Sequence, residues 1–79
     1  MLIIKHLHDE SGFPHCEDGP AIEYADGTKC WFVNGQRHRL NGPAIEYADG
    51  DKEWWYKGKQ ISKKEFDSNE FQVKIVMES

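Results

Sequence analysis

The chain has 79 residues, ten of them aromatic, 30% charged, and a formal net charge of −4. A chain of this length forms one domain and buries only about three-fifths of the surface it exposes when unfolded, so the core is thin and the aromatic side chains carry much of it. The negative balance argues against direct binding to a nucleic-acid backbone or an anionic membrane, and no segment is apolar for long enough to span a bilayer.

The opening Met1–Glu10 stretch has an apolar run too short for a signal-peptide core, with His6 and His8 where that core would continue. Cys16 and Cys30 make neither a disulfide framework nor a paired metal motif, which points to free thiols in a reducing, cytoplasmic setting. From residue 18 onward a repeat dominates. The nonapeptide GPAIEYADG occupies Gly19–Gly27 and recurs unchanged at Gly42–Gly50, a period of 23 residues. The same register aligns Trp31 with Trp54, Phe32 with Trp55, Val33 with Tyr56 and His15 with His38. The chain therefore divides into a degenerate partial unit (1–17), two units (18–40 and 41–61) and a distinct tail (62–79).

Each unit carries two hairpin signals. Asp26-Gly27, Asn34-Gly35 and Asp49-Gly50 are turn dipeptides suited to type I′, and Ser11-Gly12 and Lys57-Gly58 hold equivalent places in weaker form. Short β-branched and aromatic segments between them predict a mainly β fold, an antiparallel meander, with a bend at Leu40-Asn41-Gly42-Pro43. Ser62 and Glu65 have capping-box spacing and predict a helix start, with Phe66 and Phe71 covering the last hairpin. Val73, Ile75 and Met77 read as a final edge strand, with a helix running through Met77 as the close alternative.

Trp31, Asn34-Gly35, His38, Gly42 and Asp49-Gly50 together resemble the MORN repeat, a β-hairpin unit, over roughly residues 5–61. The GPAxEYxDG core is similar to the divergent MORN-like repeats of bacteria, phages and large DNA viruses. One extra residue separates Trp31 from Asn34-Gly35, and Arg39-Leu40-Asn41 replaces the usual small residues after the histidine. The resemblance implies a hairpin-repeat fold with a scaffolding or binding habit, and no reaction.

Two-residue Asp-Gly turns would place Ile22 across from Trp31 and Ile45 across from Trp54 on a core side. The other side would carry Glu23, Cys30, Phe32 and Arg37, then Glu46, Glu53 and Trp55. Trp31 and Trp54 are then the more buried tryptophans and Trp55 the more exposed. That second side, with Phe32 and Trp55 as anchors beside Arg37 and with Glu23 and Glu46 at the rim, is the expected partner-binding surface; the alternative is structural, with Phe32 and Trp55 packed under the C-terminal helix or a second subunit.

Chemistry is poorly supported. His6, His8 and His15 share one side of the first hairpin, His8 across from His15, but repeat-position histidines read more simply as hydrogen-bonding groups, and no metal or cofactor is expected. No oriented base stands beside either thiol, the repeated carboxylates sit side by side without a cleft, and no phosphate loop joins a strand to a helix. The expectation is a non-enzymatic protein-interaction module that self-associates. The phage resemblance adds an inhibitor of a host enzyme or defence complex, in the manner of an anti-CRISPR. A nucleotide sponge using the aromatic residues with Lys57, Lys59, Lys63 and Lys64 is the alternative, and a structural capping repeat is the third reading.

Overall fold

A computed structural model describes residues 2–78. In chain order the elements are β1 (Ile3–His6), β2 (Ile22–Tyr24), β3 (Lys29–Cys30), β4 (Phe32–Val33), β5 (Gln36–Arg37), β6 (Ile45–Glu46), β7 (Lys52–Tyr56), β8 (Lys59–Ile61), α1 (Lys63–Phe66) and α2 (Asn69–Glu78). The fold is mainly β and antiparallel. A six-stranded sheet runs in the order β1-β2-β3-β6-β7-β8, and β4-β5 forms a separate two-stranded ribbon.

The hairpin turns lie where the sequence placed them, in two distinct chemistries. At Asn34-Gly35 (φ 50° and 83°) and Lys57-Gly58 (50° and 84°) both central residues enter the positive-φ region, as type I′ requires. Trp31 and Trp54 accordingly oppose His38 and Ile61, as the dipeptides predict. At the Asp-Gly turns only the glycines, Gly27 (99°) and Gly50 (98°), have positive φ. Gly27 N–H donates to Tyr24 O at 3.0 Å and Tyr24 N–H to Thr28 O at 2.9 Å, so the loop holds one residue more than a type I′ turn and its glycine forms a bulge. Tyr47, Gly50 and Asp51 repeat both bonds. The Asp26 and Asp49 carboxylates accept from the N–H two residues on, Thr28 at 2.9 Å and Asp51 at 3.0 Å, which holds this turn type in place.

That extra residue corrects the register. Ile22 pairs with Cys30 and Glu23 with Lys29; Ile45 pairs with Glu53 and Glu46 with Lys52. A one-residue slip moves a strand's side chains to the other face. Ile22, Tyr24, Ile45 and Tyr47 therefore join the side that holds Cys30, Phe32, Glu53 and Trp55. Ala21, Ile22, Cys30 and Ile45 are buried there, with Cys16, Tyr24, Phe32 and Trp55 packed against them. The expected core side, built on Ile22 with Trp31, is thus wrong, and all three tryptophans are half-buried instead of showing the expected contrast.

A second core forms where the chain leaves the repeat. Ser62 Oγ accepts from Glu65 N–H at 3.0 Å, completing the N-cap, and Ser68 Oγ accepts from Phe71 N–H at 3.2 Å at the next helix. Phe71 and Ile75, one helical turn apart, bury against Tyr56 and Ile61, while Phe66 packs on Trp54. The tail is therefore helix through Glu78, which corrects the edge strand expected at Val73, Ile75 and Met77, and the Leu40–Pro43 stretch lies outside any strand, as the predicted bend requires.

Candidate interaction surface

Arg37 stands across from Phe32 in the β4-β5 ribbon. Its guanidinium carbon lies 5.5 Å from the Phe32 ring centroid and 5.1 Å from that of Trp55. Phe32 and Trp55 are half-buried on the first core, whereas Arg37 is exposed. The repeat thus brings two aromatics together around one cation, each contact worth roughly 0.5–1 kcal/mol at such a site. Glu53 completes the cluster. Its Oε1 accepts from Trp55 Nε1–H at 2.9 Å and its Oε2 from the Tyr47 hydroxyl at 2.8 Å. The bond to Glu53 pushes the exposed Tyr47 hydroxyl above the usual phenol range. Beneath lies Cys30, whose thiol is pushed up chiefly by burial, Arg37 pulling it down and Glu53 adding to the rise. A thiol held protonated is a poor nucleophile.

Glu23 and Glu46 are not part of this cluster. They lie on the opposite side, in a row that crosses the sheet as Lys5, Glu23, Lys29, Glu46 and Lys52, alternating in sign from strand to strand. Lys5 Nζ approaches Glu23 at 3.3 Å. Glu46 and Glu53, expected on the same side, lie on opposite sides, because the bulged Asp-Gly turn puts Lys52 across from Glu46 and Glu53 across from Ile45. Opposite charges on adjacent strands stabilise the sheet where like charges would not.

The histidines have a structural task. His15 Nδ1 accepts the Asn34 N–H at 2.9 Å, and one repeat later His38 Nδ1 accepts the Lys57 N–H at 2.9 Å. Each ties the first central residue of the next unit's type I′ turn. His8 opposes Pro14, not His15, and lies 5.7 Å ring to ring from exposed His6. With the His15 Nδ1 lone pair already engaged, the three do not converge. Among the described residues no group of three or more His, Cys, Asp or Glu side chains is placed to hold a metal ion.

Arg39 is the residue that sequence reasoning passed over. Its guanidinium lies 3.9 Å from the Trp31 ring centroid and bonds Glu46 Oε2 at 2.8 Å, Pro43 O at 3.0 Å and Asn41 Oδ1 at 3.1 Å. The signal was the departure from the repeat, since Cys16 and Ser62 hold the equivalent positions.

The fold and surface define a hairpin-repeat β-sheet with a helical cap, an Arg37 cluster on Phe32 and Trp55, and a separate Arg39 contact with Trp31. Compared with protein-family models, curated proteins and solved structures, the chain has no match in any of the three. No helix among the described residues is long and apolar enough to cross a membrane.

Proposed function

We propose that this chain is a non-enzymatic protein-interaction module whose contact surface is centred on Arg37 between Phe32 and Trp55. The observation that carries this reading is the placement of an exposed guanidinium over two anchored rings, with the nearby Glu53 carboxylate fixed by Tyr47 and Trp55. Arginine and large aromatics dominate binding hot spots, and anchors already held by a core lose little entropy on association. Glu53 supplies the rim carboxylate expected of Glu23 and Glu46. A net charge of −4 suits a basic partner surface. The resemblance to MORN-like repeats of phages extends the reading to a small acidic inhibitor of a host enzyme or defence complex.

The test is capture of the partner by Arg37→Glu beside the parent and a Lys59→Glu control. The reading expects Arg37→Glu to keep the parent's circular dichroism and lose the partner by at least about thirty-fold in affinity. Equal capture by all three proteins would overturn it.

Self-association is supported by a different observation. Among the described residues β1 pairs on one side only, and Leu2, Ile3, Ile4, Leu7 and Phe13 are all exposed. An open apolar edge is a template for pairing with a second copy. Sedimentation of Ile4→Lys should then show a lighter species than the parent; identical sedimentation would remove this part of the reading.

A further inference from the structure

The sequence holds two Asn-Gly steps, Asn34-Gly35 and Asn41-Gly42, and the fold treats them in opposite ways. Asparagine before glycine is the pair most open to loss of its side-chain amide, because no Cβ shields the next backbone nitrogen as it closes on the side-chain carbon. Closure needs that nitrogen unbonded and is helped when the amide carbonyl is polarised. Both asparagines are exposed, so access of water does not separate them.

At Asn34-Gly35 the backbone is pinned twice. Asn34 N–H donates to His15 Nδ1 at 2.9 Å and Gly35 N–H to Pro14 O at 2.8 Å, with both residues at positive φ in the type I′ turn. At Asn41-Gly42 the backbone is loose. Among the described residues no backbone-to-backbone hydrogen bond is made by residues 40–43, the Gly42 N–H has no partner, and bonding resumes only where Ala44 N–H donates to Glu53 O at 2.8 Å. The segment is held instead by the Arg39 side chain, whose Nε–H donates to Asn41 Oδ1 at 3.1 Å and whose Nη1 donates to Pro43 O at 3.0 Å. The same guanidinium lies against Gly42, where a Cβ would stand 3.0 Å from Arg39 Cζ and 3.3 Å from Nε. One cation thus borders both the carbonyl that is attacked and the backbone that carries the nucleophile.

We propose that Asn41 is a modification site, deamidating spontaneously in the folded protein with Arg39 polarising its amide. Hydroxide takes the Gly42 amide proton and the nitrogen attacks Asn41 Cγ. The Cγ–Nδ2 bond then breaks, Nδ2 leaves as ammonia with a proton from water, and a five-membered imide remains. Water opens that ring at either carbonyl, leaving aspartate or isoaspartate, and no atom changes oxidation state. Negative charge builds on Oδ1 as the nitrogen attacks, at the atom to which the Nε–H donor is already directed, the arrangement that lowers barriers of this kind in enzymes. The preceding unit shows that the product fits. Asp18-Gly19-Pro20 holds the place of Asn41-Gly42-Pro43, and Asp18 Oδ1 accepts from Cys16 Sγ at 3.2 Å, as Asn41 Oδ1 does from Arg39. The aspartate product sets a second carboxylate on Arg39 beside Glu46, which bonds it at 2.8 Å. The isoaspartate product adds a carbon to the backbone of the link from β5 to β6.

The experiment ages the full-length protein in warm neutral buffer, folded and in urea, and follows the tryptic peptides 30–37 and 40–52, which separate the two asparagines, by mass spectrometry. Electron-transfer fragmentation distinguishes aspartate from isoaspartate. In the folded protein Asn41 should convert at least about tenfold faster than Asn34, the scale expected of one well-placed donor at an exposed carbonyl. Urea should raise the rate at Asn34, which loses its pins, and lower the rate at Asn41, which loses its cation. Arg39→Met, read in peptide 38–52, should slow Asn41 in the folded protein and leave its rate in urea unchanged. Equal folded-state rates at the two asparagines, or a rate at Asn41 that rises in urea, would overturn the assignment whether or not the variant folds.

Discussion

The Lys57 backbone N–H is held by His38 Nδ1 at 2.9 Å, and Asn34 stands in the same relation to His15 one repeat earlier. Neighbouring units are further joined by equivalent backbone bonds, Gly35 N–H to Pro14 O at 2.8 Å and Gly58 N–H to Arg37 O at 2.9 Å. The imidazole is therefore a strut between consecutive hairpins, and it must offer Nδ1 unprotonated to accept. Replacing His38 with alanine should cost at least about 1 kcal/mol, the net worth of one such bond, because the ring also packs 5.1 Å from that of Tyr56. Urea midpoints give the cost, and amide exchange at Lys57 should quicken while Asn34 is unaffected. Unchanged exchange at Lys57 would show that the bond contributes nothing to the turn.

Arg39 and Gly42 depend on one another. A Cβ on Gly42 would lie 3.0 Å from Arg39 Cζ, so Gly42→Ala requires the guanidinium to give by a few tenths of an ångström and loosens its contacts with Trp31, Glu46, Pro43 and Asn41. Arg39→Lys keeps the charge but cannot stack on Trp31 while bonding Glu46, Pro43 and Asn41 in several directions. Each variant should lose about 1–2 kcal/mol, and the double variant should lose clearly less than their combined cost because both act through the same side chain. Additive losses would refute the dependence.

Phe71 is buried at the centre of the second core, edge-on to Tyr56 at 5.3 Å and 5.6 Å from Phe66. Phe71→Ala should cost roughly 3–5 kcal/mol, a large share of the stability of so small a domain. Helical circular dichroism should fall and the emission of Trp54 should move to longer wavelength as Phe66 lifts away. A variant that retains both signals and the parent melting temperature would show that the cap is ornamental to the sheet.

Burial raises the Cys30 thiol above its ordinary value, with Arg37 opposing and Glu53 assisting. A group whose folded value is raised contributes stability that is present below its unfolded value and fades as pH climbs through the folded one. A free thiol ionises near pH 8.5, so melting temperature should fall as pH rises above about 8.5. Cys30→Ala should be less stable at pH 7 and show a smaller fall over that window. A fall of equal size in both proteins would assign the alkaline loss to other groups, with Tyr47 the first to examine.

The repeat, the turn positions, the Ser62 cap and the covering role of Phe66 and Phe71 were legible in the sequence, because each depends on residues within a few positions of one another. Asn34-Gly35 announced its own type I′ turn, both residues tolerating positive φ at small cost. Asp26-Gly27 did not, since Asp-Gly suits a type I′ turn as well as a bulged loop one residue longer. The choice was made by contacts outside the dipeptide: Asp26 accepting from Thr28 N–H, and Thr28 Oγ1 accepting from Ala48 N–H one hairpin away at 3.2 Å. That single residue of register decided which side of the sheet is core. It set Glu23 and Glu46 in a ladder of alternating charge and gathered Phe32, Arg37, Glu53 and Trp55 on the other face. The composition of the surface was thus a property of the sequence, while its membership was a property of strand pairing, which joins residues that local propensity cannot compare.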